Sequence, residues 1–369
     1  EVLKLIGELE ALLADPKKIL KVVKDDLKDL KKKYGDVRRT QIEDREASDF
    51  RKEDLIPDEP VAVTISFKGY IKRLALDTFR TQSRGGKGIR GVITREADAI
   101  QQILVAQTHD QLLFFTNRGR VFPLRCWDIP EAQSRQSKGL PVINLIPIEQ
   151  NERVTAMASI PKESAGACFF FATRKGEVKR VAAENFMNVR TSGILAMDLE
   201  PADELAWVAR TSGRDDIIMV SEHGQSIRFN ETDVRLSARA SGGVRGMRFV
   251  DGDQLAGMDV VQEEGCMLMI TSSGIGKRTR LSEYPVQGRG GIGVLTLPRM
   301  RGSGPVVAAK VVRENYQILL ISREGTVIRQ KADEISLQKR PARGVNVMRV
   351  DDGDTVASIT CFPSENGIE

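Results

Sequence analysis

The sequence predicts an all-β, six-bladed propeller-like ring that is preceded by an α-helical coiled-coil segment. Three observations lead to this prediction. Apolar residues have a helical spacing in the first 34 positions, a short apolar run followed by a glycine recurs six times, and those glycines are about 50 residues apart. A repeat of this length with several short strands is typical of propeller-like rings. We therefore expect the ring to occupy most of the chain.

Length and composition restrict the class of protein. The chain has 369 residues, enough for two or three domains, and its 41% hydrophobic content is enough for a core. It contains no run of about 18 apolar residues and no signal segment, so no membrane span is predicted. Because the chain begins within a helical pattern and without Met, we expect it to be a piece of a longer protein.

Charged and sulfur-containing residues indicate the partners and the compartment. Residues 1–60 hold 14 Lys and Arg against 16 Asp and Glu, and the remainder holds 42 against 35. This excess is modest, so nucleic-acid binding has to be argued from where the cations lie. The four cysteines are far apart and the two histidines lack metal-ligand spacing, which predicts reduced thiols, no metal site and a cytosolic protein. Cys168 and Cys266 begin apolar runs and are expected to be buried.

The N-terminal segment reads as two helices. Asp15 can cap a second helix, and Pro16 suits its first turn, where a missing N–H costs nothing. In this second helix a coiled-coil seam with spacings of 3 and 4 is formed by Leu20, Val23, Leu27, Leu30 and Tyr34. Such a helix packs either on its own domain or, as its highly charged polar faces favour, on a helix that this chain lacks.

Composition divides the chain into four parts. We predict a helical arm over residues 1–40, an exposed acidic linker over 41–60, the ring over 61–363 and a short tail over 364–369.

The ring prediction depends on a repeated hairpin signal. Six times an apolar run ends in Ser or Thr and reaches a Gly three residues later, in SFKG (66–69), TNRG (116–119), TRKG (173–176), SEHG (221–224), TSSG (271–274) and SREG (322–325). The runs are too short for helices and rich in β-branched or aromatic residues, which indicates strands. Each glycine can take the positive φ of a tight turn.

A second glycine follows each hairpin glycine. These second glycines are Gly88, Gly139, Gly193, Gly243, Gly291 and Gly344, and an Arg stands four residues after five of the six hairpin glycines. An open solenoid is the alternative to a ring. Four strands per unit and the absence of a capping repeat favour closure.

Cations gather around each second glycine. In chain order they are Arg84, Lys87, Arg90, Arg135, Lys138, Arg190, Arg239, Arg245, Arg248, Arg289, Arg299, Arg301, Lys339, Arg340 and Arg343. A ring would place these loops on one surface as a circular track of positive charge. Aromatic residues are nearly absent from the loops, which argues against base stacking on single strands and favours a sequence-independent grip on duplex phosphates.

One of these loops carries a motif of a known family. The segment QSRGGKG, formed by Gln82, Ser83, Arg84, Gly85, Gly86, Lys87 and Gly88, resembles the signature box of the C-terminal domain of the DNA gyrase A protein: Gln, cation, Arg, Gly, Gly, cation, Gly. Ser83 replaces the first cation of the pattern. The segment 34–40 resembles the end of the coiled-coil arm of that protein, and the resemblance covers almost the whole chain.

The resemblance implies a structure and an activity. The family's ring is a β-pinwheel, in which neighbouring blades exchange strands and duplex DNA wraps around the rim with a right-handed sense. Wrapping enables negative supercoiling by a holoenzyme of two gyrase A and two gyrase B proteins, which uses ATP, bound by the gyrase B protein, and Mg²⁺ in the bacterial nucleoid. The family's cleavage tyrosine follows an arginine, and none of the four tyrosines here does. The fragment itself is therefore expected to be non-catalytic, with no cofactor or metal of its own.

Two alternatives stay open at this point. The C-terminal domain of a topoisomerase IV subunit resembles this ring but lacks an intact box and often has fewer blades. A propeller that serves as a platform for protein interactions would be expected to have mixed-charge or aromatic loop tips.

Overall fold

The computed structural model describes residues 1–36, 52–75, 100–132, 137–160, 166–250, 252–299, 302–324 and 326–363. It divides into two units, Glu1–Leu55 and Ile56–Glu369. Most of the predicted linker, the predicted tail and the box at 82–88 lie outside the described residues. The predicted domain limits therefore stay predictions.

The first unit contains helices α1 (Val2–Leu13) and α2 (Pro16–Tyr34) and a 3₁₀ turn at Lys52–Leu55. The break between the helices is the predicted one. The Asp15 side chain accepts a hydrogen bond from the Lys17 N–H at 3.0 Å, and Pro16 is the first helical residue. Within these two helices no residue is buried, and the seam from Leu20 to Tyr34 is exposed. An apolar seam left in solvent is typical of a helix whose partner is another chain segment.

The second unit is built from six β-hairpins, each followed by a closing strand. The hairpin strands are β1 (Pro60–Ser66) with β2 (Tyr70–Ala75), β4 (Gln111–Thr116) with β5 (Arg120–Arg125), β8 (Cys168–Thr173) with β9 (Glu177–Ala182), β12 (Asp216–Ser221) with β13 (Gln225–Asn230), β16 (Cys266–Thr271) with β17 (Ile275–Arg280), and β20 (Tyr316–Ser322) with β21 (Val327–Lys331). The closing strands are β3 (Ile100–Gln107), β7 (Val154–Ile160), β11 (Leu205–Thr211), β15 (Leu255–Val260), β19 (Val306–Val312) and β23 (Val356–Pro363). Turn glycines such as Gly224 take a φ of about 80°, as the repeated signal predicts.

Five further strands of two residues each complete the sheets. They are β6 (Leu140–Pro141), β10 (Ile194–Leu195), β14 (Val244–Arg245), β18 (Val294–Leu295) and β22 (Val345–Asn346). Each is supplied by one unit and pairs with the hairpin of the preceding unit, so the sheet orders are β3-β1-β2-β6, β7-β4-β5-β10, β11-β8-β9-β14, β15-β12-β13-β18 and β19-β16-β17-β22. Neighbouring blades are therefore joined by exchanged strands. In the sixth sheet the described strands are β23, β20 and β21, and the corresponding segment of the first unit, residues 76–99, lies outside the described residues.

The six closing strands are the innermost and contact one another in succession. The last of them, β23, contacts the first, β3, and the Thr360 hydroxyl donates to the Ile100 carbonyl at 3.4 Å. The blades thus form a closed ring, and the predicted six-bladed all-β fold is confirmed over the solenoid alternative.

The hydrophobic core lies between blades rather than at the centre of one sheet. Successive residues of β4 serve different neighbours: Phe114 packs with Ile71 of the first blade, and Phe115 packs with Phe169 of the third. Successive side chains of a strand point to opposite faces, and both faces are covered here. This explains why the strands read as continuous apolar runs.

Candidate nucleic-acid interface

The outer edge of the ring is made by the strand exchange. After the second to sixth hairpins the chain makes a short 3₁₀ turn and then lies along the preceding blade before it enters the two-residue outer strand. Parallel bridges mark this contact, at Arg73–Glu131, Arg180–Leu236, Arg228–Val286 and Arg278–Leu337. We call the stretch that begins six residues before the glycine preceding the outer strand, and ends three residues after that strand, the rim segment of its unit.

At four of the five outer strands the preceding glycine makes a turn that other residues do not make easily. Gly293 directly precedes β18, has φ +83°, and a Cβ placed on it would overlap the carbonyl oxygen of Ser226. In the fifth unit this position belongs to Gly293 and not to Gly291, which the spacing in the sequence indicated. A Cβ on Gly291 would meet only ordinary contacts, the first being Ile227 Cδ1 at 3.5 Å. The prediction for that unit was therefore wrong by two residues, because several glycines lie close together in this stretch.

A repeated heptapeptide becomes visible when the sequences of the rim segments are aligned on the glycine that precedes each outer strand. Three units carry a heptapeptide with Gln first, Arg third and Gly last, namely QSRQSKG (133–139), QGRGGIG (287–293) and QKRPARG (338–344). The box at 82–88 has the same frame. In the sixth unit the Gln338 side-chain oxygen accepts a hydrogen bond from the Gly344 N–H at 3.1 Å, which joins the two ends of the heptapeptide. In this unit the first and last residues of the frame thus have a structural role.

The predicted rim cations fall into several groups. Arg84, Lys87, Arg90, Arg135 and Arg301 lie outside the described residues. Five of the others are exposed and, within the described part of the chain, have no ion-pair or hydrogen-bond partner for their side chains: Arg190, Arg245, Arg248, Lys339 and Arg343. These five belong to the third, fourth and sixth rim segments.

Other predicted cations are partly engaged. The Arg289 guanidinium donates to the carbonyls of Asp233 and Arg245, each at 3.0 Å, so it fastens one rim segment to the one before it. Arg299 lies 3.1 Å from His223 Nε2, beside a hairpin turn rather than beside an outer strand. Lys138 is exposed and its Nζ lies 4.6 Å from the centre of the Tyr70 ring. Arg239 and Arg340 are half-buried.

Two of the arginines that stand four residues after a hairpin glycine, Arg228 and Arg278, are structural. Arg228 binds Asp216 at 2.7 Å and donates to the Leu281 carbonyl at 3.2 Å. Arg278, almost fully buried, donates to the carbonyls of Ile335 at 2.8 Å and Asp333 at 3.0 Å. Each of these two guanidinium groups therefore reaches the 3₁₀ turn of the next unit and holds two blades together. Neither is available for a ligand on the rim.

Sequence reasoning missed one exposed rim cation and a set of buried lysines. Arg349 follows the buried Met348, whose N–H bonds the Gly274 carbonyl at 3.2 Å, and Arg248 follows Met247, which bonds Gly176 in the same way. In both units a Met-Arg pair stands four and five residues after the glycine that precedes the outer strand. This repeated pair could have identified Arg349 from the sequence. The buried lysines carry no local signal, since their chemistry depends on groups brought in from the next blade.

Among the described residues there is no metal cluster, no membrane-spanning helix and no thiol with a lowered pKa. Within them no group of three or more His, Cys, Asp or Glu side chains could hold a metal ion, and no helix there is long and apolar enough to cross a membrane. Cys168 is buried as expected, whereas Cys266 is half-buried because it opens the strand β16 at its exposed end. Burial raises the pKa of Cys126 to about 11 and that of Cys361 to about 12, so neither thiol is reactive at neutral pH.

The geometry defines a class of protein: a closed six-bladed β-propeller with exchanged outer strands and a basic outer edge. A family model described as DNA gyrase C-terminal domain, beta-propeller, matches six consecutive segments, at residues 62–107, 110–161, 169–212, 215–262, 267–313 and 316–363. Each segment covers one hairpin and its closing strand. The chain therefore belongs to the DNA gyrase C-terminal domain family.

Individual proteins agree with this assignment. The chain is 42% identical over 364 residues to the DNA gyrase A protein of Dehalogenimonas lykanthroporepellens, a match that covers 97% of this chain and 45% of that protein. A solved DNA gyrase A C-terminal domain superimposes with a TM-score of 0.68 at 27% identity, over 82% of this chain and 100% of that one. A topoisomerase IV C-terminal domain gives 0.70 at 24% identity, over 84% and 95%, which shows the shared fold alone. The chain thus spans less than half the length of the gyrase A protein it matches.

Proposed function

We propose that the ring binds duplex DNA along its outer edge and wraps it, as the DNA-wrapping part of a DNA gyrase. The observation that carries the proposal is that five of the predicted cations, Arg190, Arg245, Arg248, Lys339 and Arg343, lie exposed on the exchanged edge and form no ion pair among the described residues. Unpaired cations on one edge attract a polyanion and release its counterions on binding.

The kind of nucleic acid follows from what the edge offers. Arg and Lys side chains bind phosphate oxygens without reading sequence. Between the hairpins and the outer strands the described aromatic residues are Trp127, Phe186 and Tyr284. Phe186 and Tyr284 are buried, and Trp127 is half-buried against His109 and Arg125, so bases have no open ring there on which to stack. Duplex DNA, bound through its backbone, fits these groups best.

The predicted cations outside the described residues complete the proposed surface. They are the box from Gln82 to Gly88 with Arg90, and further along the chain Arg135 and Arg301. Lys87 and Arg90 hold the places in the repeat of the exposed Arg343 and Arg245, which supports the same role for them.

Wrapping follows from the repetition of the edge around a closed ring. A duplex that contacts successive blades has to bend, and bending 20–30 bp by 40–90° costs on the order of 1–6 kcal/mol. Several charge-assisted contacts per blade are needed to offset that cost. The exchanged strands keep the rim segments at fixed positions, so the DNA bends and the protein does not.

The activity of a whole gyrase is proposed for the protein to which this chain belongs. In that proposal the arm seam pairs with another part of the gyrase A protein, two gyrase A proteins combine with two gyrase B proteins, the gyrase B protein uses ATP, and Mg²⁺ serves the holoenzyme. DNA cleavage belongs to a part of the gyrase A protein outside this chain. The expected compartment is the bacterial cytoplasm, at the nucleoid.

The experiment is ligation of a nicked plasmid in the presence of the full chain, followed by a count of topoisomers. Chiral wrapping with a right-handed sense predicts a positive linking shift that grows with the protein-to-DNA ratio. A matched variant with the five exposed cations changed to Gln is expected to lose most of the shift. Bound DNA without any shift would reject wrapping and leave only a basic binding ring.

A further inference from the structure

Alternate blades carry a lysine where the others carry an apolar residue. Three residues after the hairpin glycine stand Lys72, Lys179 and Lys277 in the first, third and fifth units, and Phe122, Ile227 and Ile328 in the second, fourth and sixth. Lys179 is 1% exposed and Lys277 is 0% exposed. A buried ammonium group is costly unless its protons are all accepted by nearby oxygens.

Both fully buried lysines satisfy their three protons with backbone carbonyls. Lys179 Nζ donates to Ala196 at 2.9 Å, to Ser241 at 2.8 Å and to Arg239. Lys277 Nζ donates to Thr296 at 2.8 Å, to Lys339 at 2.8 Å and to Arg340. Lys72 donates to Ser137 at 2.8 Å, again in the rim segment of the next unit.

The three carbonyls of each cage come from two different rim segments. Ala196 directly follows β10, the strand that the third unit sends back to the second blade, while Arg239 and Ser241 precede β14, which the fourth unit sends to the third. Lys277 makes the same connection with Thr296 after β18 and Lys339 and Arg340 before β22. One ammonium group therefore ties both strand exchanges of its unit together.

The joints without lysine are held differently. At the second blade the Phe122 ring packs against Gly193, and at the fourth Ile227 lies against Gly291. The Gly291 carbonyl accepts from the Arg248 N–H at 2.9 Å. The equivalent backbone bond, from the Asp198 N–H to the Ser241 carbonyl at 3.1 Å, is also present at the lysine joint of the third blade. The two kinds of joint therefore differ in the side chain, which is a lysine in one and apolar in the other.

We propose that Lys179 and Lys277 are positioning residues for DNA wrapping, which hold the stretches 237–243 and 338–344, just before the outer strands of the fourth and sixth rim segments, in the conformation that a bent duplex requires. The inference rests on the proposed function. The carbonyls of Lys339 and Arg340 turn inward to the ammonium group while the side chains of Lys339 and Arg343 are exposed. Because the inner side of the segment is held, the direction in which its exposed cationic side chains point away from the ring is fixed as well.

Charge state supports this arrangement. Burial lowers the pKa of both lysines to about 8, with Asp198 near the first and Glu283 near the second opposing the shift and Arg340 adding to it. At neutral pH each lysine is therefore still mainly charged and can donate three hydrogen bonds.

The test uses the full chain with Lys179→Ile and Lys277→Ile combined, which installs the residue that the fourth and sixth units use. Backbone amide exchange without DNA is expected to become at least fivefold faster in segments 237–243 and 338–344. It should stay unchanged in segment 138–142 of the second unit, which Lys72 holds and neither substituted lysine contacts, so this segment serves as the internal control. Affinity for a 15-bp duplex should change less than twofold, because all exposed cations remain. The linking shift on nicked plasmid should fall by at least half.

Unchanged exchange in segments 237–243 and 338–344 would overturn the proposal, whatever the DNA result. Faster exchange with an intact linking shift would also overturn it, since the segments would then be held but irrelevant to wrapping. Failure of the wild type to shift the linking number rejects the proposed function instead, and the exchange data still decide the role of the lysines. If the double isoleucine variant does not fold, the single Lys179→Met and Lys277→Met variants, which keep the aliphatic stem, give the same readouts one segment at a time.

Discussion

Gln338 and Gly344, six residues apart, are joined by a 3.1 Å hydrogen bond from the glycine N–H to the side-chain oxygen of the glutamine. This bond closes the sixth rim segment into a loop, with Lys339 and Arg343 exposed on it. Gln287 holds the same place in the fifth unit, but within the described residues its side chain has no such partner.

We expect Gln338→Ala to loosen this loop without unfolding the ring. The bond contributes about 1 kcal/mol, so exchange of the Gly344 amide should become about fivefold faster. Hydrogen exchange with fragment-resolved mass spectrometry measures this. Gln287→Ala is the control and should leave the amide of Gly293 as it is. Equal effects in the two variants would mean that the hydrogen bond does not stabilise the loop.

Rim charge should set the salt dependence of DNA binding. If about 12 phosphates are contacted, the logarithm of the binding constant falls with the logarithm of salt concentration with a slope near −11. Changing Arg190, Arg245, Arg248, Lys339 and Arg343 to Gln should make the slope shallower by about 4 to 5. Titrations by fluorescence anisotropy at several salt concentrations test this.

A charge-matched control separates the rim from the net charge. Exposed arginines that do not belong to a rim segment include Arg210, Arg214, Arg280, Arg313 and Arg323. Their replacement by Gln should leave the slope within about 1 of the wild type. A wild-type slope shallower than about −4 would contradict wrapping altogether.

Replacing Gln82 to Gly88 by alanine should separate wrapping from binding. The box contributes two of many rim cations, so much of the affinity should remain, while the linking shift on nicked plasmid should be lost if the box fastens the wrap. The same replacement at 287–293 serves as the comparison. An unchanged topoisomer distribution in the box variant would remove the box from the mechanism.

The turn glycine of the fifth unit can be identified by two substitutions. Gly293→Ala forces a side chain into a left-handed backbone conformation and against the Ser226 carbonyl, and should lower the free energy of unfolding by about 1–3 kcal/mol. Gly291→Ala meets only ordinary contacts and should change it by less than about 0.5 kcal/mol. Urea unfolding curves of the two variants give the answer. If Gly291→Ala were the more destabilising of the two substitutions, Gly291 and not Gly293 would make the turn.

The buried lysines predict a pH dependence of stability. Their folded pKa is about 8 and their ordinary value is 10.5. Between these values the unfolded chain binds more protons than the folded one, so the contribution of each lysine to stability rises with pH through this window. Below pH 8 the cost of the buried charge is present in full. The cysteines act in the opposite direction above about pH 9, because burial raises their pKa.

The comparison with Lys179→Met/Lys277→Met isolates the lysines, since both proteins have the same cysteines. As the pH rises from about 7 to 9, the thermal midpoint of the wild type should increase relative to that of the variant. Parallel curves for the two proteins would show that these lysines titrate normally.

Much of the fold can be read from local patterns. The helix break at Asp15 and Pro16, the six hairpins and the turn glycines of the first five hairpins all depend on residues a few positions apart, and the structure has them where the sequence predicts them. The continuous apolar runs, such as that around Phe114, already indicate strands covered on both faces. The motif at 82–88 and the six-fold repeat together point to the family.

The rim depends on contacts that local patterns do not contain. A lysine in a strand reads as a solvated charge, and Lys179 becomes a buried cross-link only because Arg239 and Ser241, some 60 residues later, bring their carbonyls to it. Arg278 is withdrawn from the surface in the same way by the next 3₁₀ turn. Burial of a charge is decided by partners from another blade, and strand exchange chooses those partners. For this reason the composition of the rim follows from the sequence, whereas the division of its cations into exposed groups and structural links follows from the packing of the ring.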